Sequence, residues 1–327
     1  MNILITGGAG FIGSHLVDNC LQQGHQVHVV DNLSTGTFTN IQPFTENPHF
    51  SFSKADIVIW AGLAEKVKWA DAIYHLAAIV GVRKVLKDPV QVINTNFGGC
   101  ERLFSVIKET RSTPRVMVAS SSMVYGESPD PFLKETDPMI IHSTQQGHWS
   151  YAISKMANES VSFAYHRENQ IPITIMRIFN TVGPGQVGQY GMVMPTFIRQ
   201  AVKGEPLTIY GDGTQTRSFC DVRDMARIMS ALAATPKSIG QVVNVGHRDL
   251  IQIKDLAALI KQQAKSQSPL QYLSYEEAYG EPFEDIHTRQ PDLTKLSTLI
   301  DLRFDWTIQS TIDNLLRPTQ ASGQKNI

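Results

Sequence analysis

The chain has 327 residues, 42% of them hydrophobic and 18% charged, a balance that provides a full core and excludes a disordered or fibrous protein. Its 29 basic and 30 acidic residues leave a net charge of −1, which excludes the basic footprint of a nucleic-acid binder. Cys20, Cys100 and Cys220 are odd in number, far apart and without a C-x-x-C, so neither a disulfide framework nor a metal site is expected, and a reducing, cytoplasmic location is.

Met1 runs directly into an apolar strand at 2–6, with no signal peptide in the pattern, and no apolar run is long enough to span a membrane. Helical spacing follows at 11–22, then a strand at 26–30. The alternation continues with a strand near 50–54, a helix near 61–68, a strand at 72–76 and a long helix near 89–109. Next come a strand at 116–119, a helix from about 150 to 168 and a strand at 173–176. Such alternation predicts an α/β domain over residues 1–178, a doubly wound parallel sheet with helices on both faces. Beyond 178 the rhythm breaks. A loop at 183–191 holds four glycines and a proline, helices are expected near 193–203, 222–234 and 252–263, and short strands at 207–210 and 242–245. These form a smaller C-terminal α/β lobe over 179–318, and the polar tail 319–327 is expected to be flexible.

Thr6-Gly-Gly-Ala-Gly-Phe-Ile-Gly13 sits between the first strand and the first helix. Gly7, Gly8, Gly10 and Gly13 satisfy both common spacings of a dinucleotide fingerprint, in which glycines let backbone N–H groups approach a pyrophosphate at a helix N-terminus. Asp31 ends the second strand, where a carboxylate accepts both ribose hydroxyls and repels a 2′-phosphate, so NAD is expected over NADP. Tyr151 and Lys155 stand four apart at the start of a helix, on one face, so the lysine can lower the phenol's pKa and make it a general base. Ser120-Ser-Ser-Met-Val-Tyr-Gly126 follows the 116–119 strand, at the carboxyl end of the sheet, where a hydroxyl can hold a substrate oxygen. His75, His142, His148 and Trp149 lack metal-ligand spacing and are expected to be structural or solvent-facing; Asp130, Glu135 and Asp137 read as a solvated acidic loop.

With these residues the chain resembles the sugar-nucleotide epimerase/dehydratase branch of the extended short-chain dehydrogenases, from Asn2 to about Leu316. The resemblance extends to Asp31-Asn-Leu-Ser-Thr-Gly36, His75-Leu-Ala-Ala78, Asn94-Thr-Asn96, Arg177-Ile-Phe-Asn180, Tyr210-Gly-Asp-Gly213, Gln215-Thr-Arg217 and Arg289-Gln-Pro-Asp292. It implies a Rossmann-type fold in which 219–247 returns to the large domain, and a homodimer built from the 89–109 helix and the Tyr151 helix. It implies that Gly7, Gly10, Phe11, Ile12 and Gly13 line the NAD pyrophosphate, that Asp31 and Asn32 hold the adenosine ribose, and that Asp56 and Ile57 flank adenine. Leu76, Ala77 and Ala78 pass along the cofactor, and Asn96 supports its nicotinamide half. Ser121 is then the catalytic hydroxyl, Tyr151 the base and Lys155 the ligand of the nicotinamide ribose. Ser122, Asn180, Tyr210, Arg217 and Arg289 hold the nucleotide-diphosphate sugar.

The shared first step of that family is C4 oxidation of the sugar by Tyr151 and NAD. Its dehydratases and decarboxylases carry a glutamate two residues after the catalytic hydroxyl; here that residue is Met123, and an aspartate common next to the hydroxyl is Ser122. A UDP-hexose 4-epimerase of the UDP-glucose/UDP-galactose type is therefore expected. Decarboxylation or 4,6-dehydration is the alternative, since Arg289-Gln-Pro-Asp292 resembles the decarboxylase branch and Glu127 could substitute as an acid. A non-catalytic nucleotide-sugar sensor is more remote, because Ser121, Tyr151 and Lys155 are all present.

Overall fold

The computed structural model describes residues 1–317 other than 129, 142–143, 145–146, 148, 189–191 and 280–286, with the side chains of Val82 and Arg83 also excluded. His142, His148 and the tail 319–327 lie outside the described residues. The first half runs β1 (Asn2–Thr6), α1 (Phe11–Gln22), β2 (Gln26–Asp31), β3 (Phe50–Lys54), α2 (Leu63–Trp69), β4 (Ala72–His75), α3 (Val82–Lys87), α4 (Pro89–Thr110), β5 (Arg115–Ser121), β6 (Phe132–Leu133), α5 (Trp149–Asn169) and β7 (Ile173–Ile178). The second runs β8 (Thr181–Val182), α6 (Val193–Lys203), β9 (Leu207–Tyr210), β10 (Thr216–Ser218), β11 (Cys220–Asp221), α7 (Val222–Ala233), β12 (Gln241–Val245) and β13 (Leu250–Gln252). It closes with α8 (Ile253–Gln263), β14 (Leu270–Leu273), α9 (Tyr275–Tyr279), β15 (Thr288–Pro291), α10 (Thr294–Leu299) and α11 (Ile308–Leu316).

A seven-stranded parallel sheet in the order β12-β7-β5-β4-β1-β2-β3 forms the centre. Its inner strands are near-continuous apolar runs because both faces are covered. On one face Ile3, Ile5, Met117 and Met176 pack with Leu16 and Val17 of α1 and Met225 and Met229 of α7. On the other, Leu4, Ile73, Val116, Val118 and Ile175 pack with Val67 of α2 and Leu103, Phe104 and Ile107 of α4. The strand orders and helices define a doubly wound α/β fold. β12, from the second half, pairs with β7, and Leu293 and Leu296 at α10 also enter the first core.

A third core joins α6, α8, β9 and α11 through Phe197, Ile198, Ile209, Leu256, Ile260 and Ile312. The apolar stripe of α6, ended by Gly204 in the left-handed region, closes this lobe. A four-stranded sheet, β13-β10-β15-β6, ties the lobe to the loop after β5. Its members are only two to four residues long, too short to show a period in the sequence, and α3, α10 and α11 were likewise not anticipated.

Candidate active site

The carboxyl ends of β1, β2, β4, β5 and β7 carry the residues singled out from the sequence. At the end of β1 the chain turns through Gly7, at φ +75°, whose N–H donates to the Val30 carbonyl at 2.9 Å. A Cβ on Gly7 would lie 2.7 Å from Ala77 N, and one on Gly13 would lie 2.3 Å from the Gly7 carbonyl oxygen, so neither position accepts a side chain. α1 then starts at Gly10 with no side-chain cap and no acidic residue in its first turn. Its positive end is thus open to an anion, which fits the pyrophosphate of NAD against Phe11, Ile12 and Gly13.

Asp31 is buried at the end of β2. Its Oδ2 accepts from Ala9 N at 3.0 Å and its Oδ1 from Leu33 N at 2.8 Å. Burial raises its pKa, and the two backbone donors oppose that rise. The carboxylate therefore fastens the glycine turn while keeping lone pairs for a ribose. Asn32 donates to Asp56 Oδ2 at 3.1 Å, and Ile57 is buried beside Gly99. Leu76 N and Ala77 N bond Thr6, and Ala78 continues that segment. Asn96 is fully buried: its Oδ1 accepts from Ile79 N at 2.7 Å, and its Nδ2 donates to Ile79 O and Ser154 Oγ. Its amide serves the loop around Ile79 and α5, so any support to the cofactor passes through that backbone.

Tyr151 lies in the first turn of α5 and Lys155 one turn later. Lys155 is 2% exposed; its Nζ donates to the Ala119 carbonyl at 2.8 Å and sits 5.9 Å from the Tyr151 ring centroid. Burial lowers its pKa to about 8, opposed by Cys100 and Glu159. Tyr151 departs from the expectation of a depressed phenol. Burial raises its pKa, and Ser121 opposes that rise. Ser121 Oγ accepts from Met123 N at 3.2 Å, and Ser122 is buried beside it.

Arg217 and Arg289, 72 residues apart, are direct partners in the parallel pairing of β10 with β15. Arg217 Nη1 donates to Thr216 O at 2.8 Å. Arg289 is buried, with Nη1 2.9 Å from Met123 Sδ, which brings the lobe's arginine to the serine turn. Asn180 Nδ2 donates to Ser218 O at 3.1 Å, and the Tyr210 carbonyl accepts from Gln215.

His75 and Trp149 are buried, and His75 Nδ1 bonds Thr6 Oγ1 at 2.9 Å, a structural use. The acidic loop departs from a purely solvated one: Glu135 Oε1 accepts from Asn244 N at 2.9 Å. Sequence reasoning overlooked Glu159, which accepts from Ser120 and Arg177; its signal was the i+4 spacing from Lys155. Among the described residues no cluster of His, Cys, Asp or Glu could hold a metal ion, and no helix is long and apolar enough to cross a membrane.

This doubly wound fold with a glycine turn, a Ser-Tyr-Lys set and paired arginines defines a class of NAD-dependent nucleotide-sugar enzymes. The model of the NAD dependent epimerase/dehydratase family matches residues 3–246, and the chain belongs to that family, with NAD as its cofactor. It is 37% identical over 298 residues, 90% of each chain, to a UDP-N-acetyl-alpha-D-glucosaminuronate decarboxylase from Bacillus cytotoxicus. It superposes on a UDP-glucuronic acid 4-epimerase from Bacillus cereus, crystallised with UDP-glucuronic acid and NAD, at TM-score 0.85 and 31% identity, covering 96% of this chain and 97% of that one. It also matches a UDP-N-acetylglucosamine 4-epimerase from Methanobrevibacter ruminantium at TM-score 0.86 and 29% identity, covering 96% of each.

Proposed function

We propose that the protein is a 4-epimerase of a UDP-hexose, with UDP-glucose and UDP-galactose as the simplest pair. The observation that carries this reading is Met123. It occupies the turn two residues past Ser121 and lies against Arg289, where dehydration or decarboxylation would call for a proton donor. Glu135 is engaged by Asn244, and Glu159 by Ser120 and Arg177. Tyr151 with Ser121 makes one proton-transfer pair, and 4-epimerisation needs only one.

Gly7, Gly10, Phe11, Ile12, Gly13, Asp31 and Asn32 bind the adenosine and pyrophosphate half of NAD, and Asp56, Ile57, Leu76, Ala77, Ala78, Asn96 and Lys155 its remaining length. When bound, NAD supplies a hydride acceptor at the sugar's C4 and, in its oxidised form, positive charge beside the phenol. Ser121 holds the C4 oxygen by hydrogen bonding. Tyr151 accepts the C4 hydroxyl proton and later returns it, a contribution of about 10²–10⁴-fold for a placed acid/base group. Arg217 and Arg289 grip the diphosphate with planar donor forks, and Ser122, Asn180 and Tyr210 line the rest of the substrate. With the diphosphate held, the 4-keto sugar turns about its link to it and presents its other face. A homodimer through α4 and α5 completes the proposal.

A second reading, decarboxylation of a UDP-hexuronate, is favoured by the Bacillus cytotoxicus relative. Proton NMR of incubations with UDP-glucose, UDP-N-acetylglucosamine, UDP-glucuronate and dTDP-glucose separates the two. A C4 epimer with an intact carbon skeleton supports epimerisation. Carbon dioxide from UDP-glucuronate supports the second reading, and a 4-keto-6-deoxy product refutes both.

A further inference from the structure

Two successive residues at the end of β5 are each held by a side chain of α5, and those side chains are one helical turn apart. The Ala119 carbonyl accepts from Lys155 Nζ at 2.8 Å. Ser120 Oγ donates to Glu159 Oε1 at 2.5 Å. Ser121 is the next residue of the strand, and Tyr151 lies one turn before Lys155. Residues four apart line one face of a helix, so Tyr151, Lys155 and Glu159 share the face that meets the strand end. Of the two grips, only that of Lys155 has a part in the reaction proposed above.

The second grip is deeply buried: Ser120, Glu159 and Arg177 are 3%, 5% and 3% exposed. Ser120 and Arg177 are direct partners across β5 and β7, so both side chains leave the same face of the sheet and meet Glu159 of the overlying helix. Arg177 Nε and Nη2 donate to the two oxygens of Glu159 at 3.0 and 2.8 Å. Its Nη1 donates to the Glu135 carbonyl at 3.2 Å, and the guanidinium lies 4.7 Å from the Tyr125 ring centroid. Tyr125 and Glu135 in turn bond Asn244 of β12. Burial alone would weaken the guanidinium's hold on its proton; the bonds and charge of Glu159 reverse this and keep it cationic.

A buried ion pair stabilises a fold little relative to apolar side chains, because desolvation offsets the attraction. Its directional bonds do fix geometry. We propose that Glu159 is a positioning residue: through Ser120 it sets the placement of the adjacent Ser121 against Tyr151, and so the geometry of proton transfer. This rests on the reading of Ser121 and Tyr151 as the proton-transfer pair.

The test is Ser120→Ala, which removes the hydroxyl and leaves the Glu159–Arg177 pair in place. Turnover should fall roughly 10- to 100-fold, the scale of a small misplacement of reacting groups. KM and NAD binding should match the parent. The acid limb of the rate profile should move to higher pH, because a misplaced Ser121 stabilises the tyrosinate less. If Ser120→Ala does not fold, Ser120→Cys, whose thiol is a weaker and longer donor, is measured for the same shifts. A folded variant with the parent's turnover and pH profile overturns the proposal. Tyr151→Phe is run alongside: full turnover there would instead overturn the assignment of the proton-transfer pair.

Discussion

Arg289 Nη1 lies 2.9 Å from the sulfur of Met123, joining β15 of the lobe to the turn that follows Ser121. A carboxylate at position 123 would meet that guanidinium and bring an acid to the sugar side of the turn. Met123→Glu should lower 4-epimerisation and raise carbon dioxide release from UDP-glucuronate. NMR product ratios with carbon dioxide trapping read both; a ratio equal to the parent's would mean that residue 123 does not choose the outcome.

Tyr151→Phe keeps the ring and removes the proton acceptor. Turnover should fall about 10²–10⁴-fold, while NAD binding, followed by cofactor fluorescence, persists. Ser121→Ala should also lose turnover without losing NAD.

The alkaline side of the rate profile should report Lys155. Burial places its pKa at about 8, so its ammonium is present below that value and lost above it. kcat/KM is expected to decline as pH rises through about 8. Lys155→Arg, which keeps its charge at such pH, should abolish the decline even though its activity is lower. A decline that survives the substitution would assign the limb to another group.

Acid should destabilise the fold through two buried histidines. Burial pushes His75 down to about 3 and His28 down to about 4, against an ordinary value of 6.5. Between those values the unfolded chain binds more protons than the folded one, so stability is full above pH 6.5 and drains as pH falls towards 4 and then 3. Melting temperature against pH should show this slope. His75→Asn, which can keep a bond to Thr6, should flatten part of it; an unchanged slope would exclude His75 as a source.

Val90, Ile93 and Phe97 are exposed at spacings of three and four on α4, an apolar stripe that suits a second copy of the chain. Light scattering should give twice the chain mass, and Ile93→Asp with Phe97→Asp should give one. A parent already of single mass at micromolar concentration would refute the dimer.

Local features were legible in the residues. The glycine turn follows from short-range sterics, and the Tyr151–Lys155 pairing from helix spacing. The bounds of α6 and β9 matched because their apolar residues recur at the right period. Less legible were β10, β13 and β15, whose three or four residues carry no period. Burial of the Tyr151 phenol, which raises its pKa, was not legible either, because it is set by how separate elements pack around the side chain.

By itself the sequence determined the α/β class, the NAD cofactor and the family, and it named candidates for the chemistry, since the motifs behind each lie within a turn or a strand of one another. Only the tertiary structure decided that Arg217 faces Arg289, that Met123 meets Arg289, and that Ser120, Glu159 and Arg177 share one buried site. Those contacts join residues tens of positions apart, and their partners are chosen by strand register and helix packing, which no local spacing encodes.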